Sequence, residues 1–182
     1  REQGKRCNFA VVYGISPEGM HQKFGLPVEQ AREMLRKLWD SMPAIAAWLD
    51  GVHAHAEETG EVISPYGRIR HLPEAQSADR VLKGHALRQA GNFPPQHAAA
   101  EMTLRAMVRL DRQLREGTLC AQIHDSILIE CQERSLDETV GLVRLVMQDT
   151  SELPWLKVPL VVDVKAGDAW HEMETADAGE TE

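Results

Sequence analysis

Arg1-Glu2-Gln3-Gly4-Lys5-Arg6-Cys7-Asn8-Phe9-Ala10-Val11-Val12-Tyr13-Gly14 opens the chain, and its four-residue spacing decides how the rest is read. Arg1, Lys5, Phe9 and Tyr13 recur every fourth position. A step of four advances about 400° around an α-helix, so neighbours drift only about 40° and share one face. Each step rises about 6 Å, which makes a stripe roughly 18 Å long. Two cations followed by two aromatic rings and a glycine suit a ligand with one anionic end and one flat end. Phosphates would meet Arg1 and Lys5, while a base would stack on Phe9 beside Tyr13. An amphipathic helix with snorkelling cations and a buried aromatic side is the plainer account of the stripe taken alone.

Outward from the stripe, Gly14 ends the helix, and Ser16-Pro17-Glu18 starts the next with a hydroxyl cap, a first-turn proline and an acid. Val28, Ala31, Met34, Leu35 and Leu38 give an amphipathic helix over 28–41. Pro43 opens another that runs to about Glu58 and closes at Gly60. Residues 61–70 read as a short hairpin turning at Tyr66-Gly67. Helix resumes near Ser77, is interrupted at Pro94-Pro95, and runs again from about Gln96 to Arg115. Leu119–Ile123 and Ile127–Cys131 are strand candidates joined by the polar His124-Asp125-Ser126. A helix is expected over 135–149, and a last strand over Val158–Val164. The expectation is an α+β fold, helices first and then a small antiparallel sheet packed by helices.

Composition places the chain among ordinary globular proteins, 43% hydrophobic and 26% charged. No apolar run approaches the roughly 20 residues that span a bilayer, and no stretch reads as a secretory signal. Cys7, Cys120 and Cys131 are odd in number and lack CxxC spacing, which argues against a zinc site or disulfide framework and for a reducing cytoplasm. His53 and His55 point about 200° apart on a helix, so they make no metal clip. The net charge of −8 sits badly with a nucleic-acid partner at first sight. Six of those charges, however, come from Asp168, Glu172, Glu174, Asp177, Glu180 and Glu182, in a stretch with no Lys or Arg. That end reads as an acidic tail from about residue 171.

Arg-x3-Lys-x3-Phe-x3-Tyr-Gly, with Asn8-Phe9 inside it, resembles motif B of the family A DNA polymerases, the bacterial DNA polymerase I type. Gln122-Ile123-His124-Asp125-Ser126-Ile127-Leu128-Ile129-Glu130 resembles that family's motif C. Arg88-x3-Asn92-x3-Gln96 matches a third signature lying between them. Val161-Val162-Asp163-Val164-Lys165-Ala166-Gly167-Asp168-Ala169-Trp170 is similar to its closing strand and Gly-x-x-Trp. The four occur in collinear order across nearly the whole chain.

The resemblance implies a DNA-directed DNA polymerase that adds deoxynucleotides to a primer 3′ end. Its partners are primer-template DNA, deoxynucleoside triphosphates and the remainder of the polymerase, in the cytoplasm. Residues 1–78 correspond to the later fingers with the nucleotide-binding helix, and 79–182 to the C-terminal palm. Asp125 and Lys5 are the implied catalytic residues; Arg1, Lys5, Phe9 and Tyr13 hold the nucleotide. Arg88 and Asn92 meet the template strand, while Gln96 and His124 meet the primer terminus and minor groove. Minor-groove acceptors are nearly the same in every correct pair, so donors aimed there test pair geometry without reading sequence.

Asp125 is the implied Mg²⁺ ligand, since hard Mg²⁺ wants oxygen donors. The family's motif A, an aspartate on a strand before motif B, has no counterpart in this sequence. The chain is therefore expected to be the C-terminal piece of a larger polymerase and inactive alone. Ser126 stands where the family usually has a glutamate, and a hydroxyl cannot supply that charge. A non-catalytic nucleic-acid or nucleotide-binding module derived from the polymerase is the alternative.

Overall fold

The computed structural model describes residues 14–176. Among the described residues, five helices and three small two-stranded antiparallel sheets make a mixed α+β arrangement, as expected. They fall into two compact units, Arg1–His97 and Ala98–Glu182.

In the first unit, Gly14 takes the left-handed conformation, φ 72°. The Ser16 hydroxyl accepts the Gly19 N–H at 3.1 Å and starts α1, Pro17–Phe24. Gly25, φ 71°, ends that helix by donating its N–H to His21 O at 2.9 Å. Helix α2, Val28–Ser41, buries Ala31 and Leu35 against Met20 of α1. Met34, on the expected apolar face, is 39% exposed. Helix α3, Pro43–Thr59, stops at Gly60, φ 71°.

Strands β1, Glu61–Ile63, and β2, Ile69–His71, then form the expected hairpin, pairing Val62 with Arg70. Gly67 donates to Ser64 O at 2.9 Å to close its turn. Ala56, Val62, Leu72, Ala75, Ala86 and Ala90 make one core beneath it.

Helix α4, Arg80–Gln113, corrects the sequence reading because it passes through Pro94 and Pro95 without a break. The Asp79 carboxylate caps its start, accepting from Val81 N–H at 2.7 Å and Leu82 N–H at 3.3 Å. A proline inside a helix costs about 3 kcal/mol or more. Ala86, Ala90 and Pro94 recur every fourth position as a buried stripe, and packing of that stripe offsets the lost hydrogen bonds.

In the second unit, β3, Gly117–Ile123, pairs with β4, Ser126–Cys131, from Gly117 opposite Cys131 to Ile123 opposite Ser126. The register shifts between Leu119 and Ala121, so Cys120 sits in a bulge. Helix α5, Leu136–Gln148, contributes Val143 and Val146 to a core with Ala106 and Leu110. Leu119, Ile127 and Ile129 pack on that core, so the hairpin rests on a helical bed.

Val158–Val164 is not a strand, a second correction. Pro159 lies inside the segment and has no N–H to give a ladder. The Val162 N–H goes instead to the Gln148 side chain, 3.0 Å from Oε1. A two-residue strand follows, β5, Lys165–Ala166, paired with β6, Glu174–Thr175. Backbone pairing reaches into the acidic stretch as far as Ala176, whose N–H donates to Val164 O at 2.9 Å. The Ala176 carbonyl accepts from Arg144 Nη2 at 2.5 Å.

Candidate active site

Two-residue connections between antiparallel strands need a primed turn, in which at least one central residue has positive φ. Between β3 and β4 those residues are His124 and Asp125. His124 carries φ 56°, the only non-glycine residue with positive φ among the described residues. A residue bearing a β-carbon is disfavoured there, so the conformation is held from outside. The Ser126 hydroxyl donates to Ile123 O at 2.9 Å, and Gln122 Nε2 donates to His124 O. Asp125 is exposed at the tip of this hairpin.

A carboxylate there fits Mg²⁺ in kind. In number it falls short: among the described residues no group of three His, Cys, Asp or Glu side chains could hold a metal ion.

Arg88, Asn92 and Gln96 lie on α4 within the first unit. Because the helix is unbroken, their spacing puts them on one face, about 200° from the Ala86–Ala90–Pro94 stripe. Arg88 and Gln96 are exposed and Asn92 is half-buried. The stem of Arg88 runs beside Gly14: a β-carbon on Gly14 would stand 3.1 Å from Arg88 Cγ. Next to this face, Arg70 of β2 donates to Gln89 Oε1 at 2.5 Å and lies 5.9 Å from the Phe93 ring centroid. The hairpin arginine is thereby tied to α4, a link between residues 19 apart that spacing does not reveal. Arg1, Lys5, Phe9 and Tyr13 lie outside the described residues.

Arg109 meets Asp149 at 2.6 Å after the end of α5. The Ser151 N–H, then its hydroxyl, then Arg109 hold the Asp149 carboxyl down at about 2. A recess of about 570 Å³ is walled by Ile127 and Ile129 of β4, Val140 and Val143 of α5, Val164 and Trp170, and neither His124 nor Asp125 lines it. That recess is therefore separate from the turn. No described helix is long and apolar enough to cross a membrane.

Sequence reasoning missed the Gln122 and Ser126 contacts, although both residues flank the His-Asp step. Their signal was the absence of glycine from a two-residue turn.

Known proteins resemble this chain in sequence and fold. The chain is similar to DNA polymerase I of Caldicellulosiruptor bescii, 34% identical over 176 residues, which are 94% of this chain and 20% of that protein. It is also similar to the thermostable DNA polymerase I of Thermus thermophilus, 31% identical over 172 residues, 93% of this chain and 20% of that one. Among solved structures it resembles the POL domain of Pol1 from M. smegmatis in complex with DNA primer-template and dNTP. That likeness has a TM-score of 0.80 and 30% identity, covering 88% of this chain and 28% of the other. The chain spans about a fifth of the length of the curated relatives it matches. The pattern of DNA polymerase family A matches residues 1–172, and the chain belongs to that family.

Proposed function

We propose that this chain supplies part of a template-directed DNA polymerase, with residues 1–78 in its fingers and 79–182 in its palm. The observation that carries the reading is Asp125, exposed on a two-residue turn between paired strands that rest on the Ala106–Leu110–Val143–Val146 core. A carboxylate so mounted keeps its direction while substrate and metal come and go.

In this reading Asp125 provides one carboxylate for Mg²⁺, and a second carboxylate from elsewhere in the polymerase completes the set. The ion, when bound, neutralises charge that develops on the transferred phosphoryl group. Arg1 and Lys5 hold the triphosphate, and Phe9 and Tyr13 lie against the sugar and base. Arg88 and Asn92 hold the template strand by charge and hydrogen bonding. Gln96 and His124 present donors to minor-groove acceptors at the primer end. Primer-template DNA, deoxynucleoside triphosphates and the rest of the polymerase are its partners.

A second reading, a nucleic-acid or nucleotide-binding module without catalysis, is favoured by the incomplete ligand set at Asp125. Primer extension separates the two. In the full-length polymerase, Asp125→Asn keeps the shape of the side chain and removes the charge. It should abolish extension while DNA binding persists. Extension at the parental rate in that variant would refute the metal role. The chain alone should not extend a primer with Mg²⁺ or Mn²⁺; template-dependent extension that Asp125→Asn abolishes would show that a complete site exists here.

A further inference from the structure

We infer that Gln122 and Ser126 are positioning residues that lock the His124–Asp125 turn from both sides and so aim the Asp125 carboxylate. The φ and ψ angles of His124 are the rotations between two peptide planes, one ending in the Ile123 carbonyl and the other in its own. Both carbonyl oxygens are gripped by side chains. Ser126 Oγ takes hold of the first at 2.9 Å, and Gln122 Nε2 takes hold of the second. With both planes fixed, His124 stays at φ 56° although it is not glycine.

Every other described residue with positive φ is a glycine, at positions 14, 25, 60 and 67. Glycine takes that angle without a steric penalty, whereas histidine does not. Ser126 is thereby given a role. Where the family resemblance implies a glutamate, this chain has a short hydroxyl that reaches the backbone of its own turn. Gln122 lies on the other strand, so the two ties come from opposite legs of the hairpin. Only the catalytic consequence of the lock rests on the polymerase reading of Asp125.

The lock is tested on the chain itself by NMR. A left-handed residue shows a strong intraresidue amide–Hα NOE, and amide exchange reports opening of the turn. Ser126→Thr and Ser126→Val have the same shape and differ by the hydroxyl. Gln122→Met removes the donor with little change of shape. Ser126→Val and Gln122→Met should each speed exchange of the 123–126 amides about five-fold, the factor for one net hydrogen bond. Ser126→Thr should leave exchange unchanged, and the Val–Met double variant should lose the left-handed NOE at His124.

Protection of the Gly117–Leu119 and Ile129–Cys131 pairs serves as the folding control. If the double variant does not fold, the Thr and Val singles decide by themselves. Equal exchange in Ser126→Thr and Ser126→Val, or a double variant that keeps the NOE, would overturn the lock. In the full-length polymerase, Ser126→Val should lower kcat about five-fold relative to Ser126→Thr with KM for the nucleotide unchanged. An unchanged kcat despite the lost NMR signature would overturn the aiming role. Failure of Asp125→Asn to impair extension would sink the polymerase reading and leave the turn lock standing.

Discussion

Gly14→Ala and Gly25→Ala form a matched pair, because the two glycines share a conformation and differ in surroundings. Their φ angles are 72° and 71°. A β-carbon at Gly25 meets nothing within 4 Å, while one at Gly14 stands 3.1 Å from Arg88 Cγ. Placing an L-residue in the left-handed region costs about 1–2 kcal/mol. Loss of glycine entropy from the unfolded chain returns about 0.4–1 kcal/mol. Gly25→Ala should therefore destabilise the first unit by about 1 kcal/mol. Gly14→Ala adds the displacement of the Arg88 stem by a few tenths of an ångström. That stem is flexible, so the excess should match one off-rotamer side chain, about 0.5–1.5 kcal/mol.

Urea unfolding followed by Trp39 and Trp48, with Trp155 and Trp170 replaced by Phe, reports the first unit. With a slope near 2 kcal/mol/M, Gly25→Ala should shift the midpoint by roughly 0.5 M and Gly14→Ala by roughly 1 M. Arg88→Ala should erase the excess in a double-mutant cycle. Equal shifts for the two glycines, or an excess that survives Arg88→Ala, would refute the contact. The outcome bears on the proposed function, in which Gly14 follows residues assigned to the nucleotide and Arg88 is assigned to the template strand.

Three further outcomes are expected. Asp149 titrates at about 2 in the fold against an ordinary 3.8, so its stabilising contribution is complete above about pH 4 and is lost as pH falls through about 2. Asp149→Asn should flatten the fall in Tm across that window, and an unchanged slope would remove Asp149 from the acid response. Lys5→Ala in the full-length polymerase should weaken nucleotide use on the order of 10- to 100-fold, the loss of a charge-assisted phosphate contact; unchanged steady-state kinetics would count against it. Phe9→Tyr should raise dideoxynucleotide incorporation, as the family resemblance implies, and unchanged termination would count against placing Phe9 at the sugar.

Most helix ends were legible because each rests on a local device. Ser16-Pro17 starts one helix and Gly25 stops it, and Gly60 stops another, both glycines in the left-handed conformation. The β3–β4 hairpin was legible as two apolar segments around His124-Asp125-Ser126, with strand ends displaced by one or two residues. Both misreadings turn on proline, over-weighted at Pro94 and overlooked at Pro159. Pro94 sits on the buried stripe of α4, and burial there carries the helix through. Pro159 lies in a segment whose backbone finds a side chain rather than a neighbouring strand, and its missing N–H prevails.

The same distinction between local pattern and pairing runs through the candidate site. The exposed turn position of Asp125 was legible because Asp and Ser favour a turn between two apolar segments, and the shared face of Arg88, Asn92 and Gln96 followed once the helix proved continuous. The contact of Arg70 with Gln89 was not legible, because no periodicity links a strand residue to a helix residue 19 positions on. The turn lock lies between these extremes. Its residues are neighbours in sequence, yet their function depends on the sign of one backbone angle. A two-residue turn without glycine states a strained backbone, and the polar side chains on either leg are where the compensation belongs. On the proposed reading of Asp125, the residues flanking such a turn set the direction of the carboxylate while touching neither metal nor substrate.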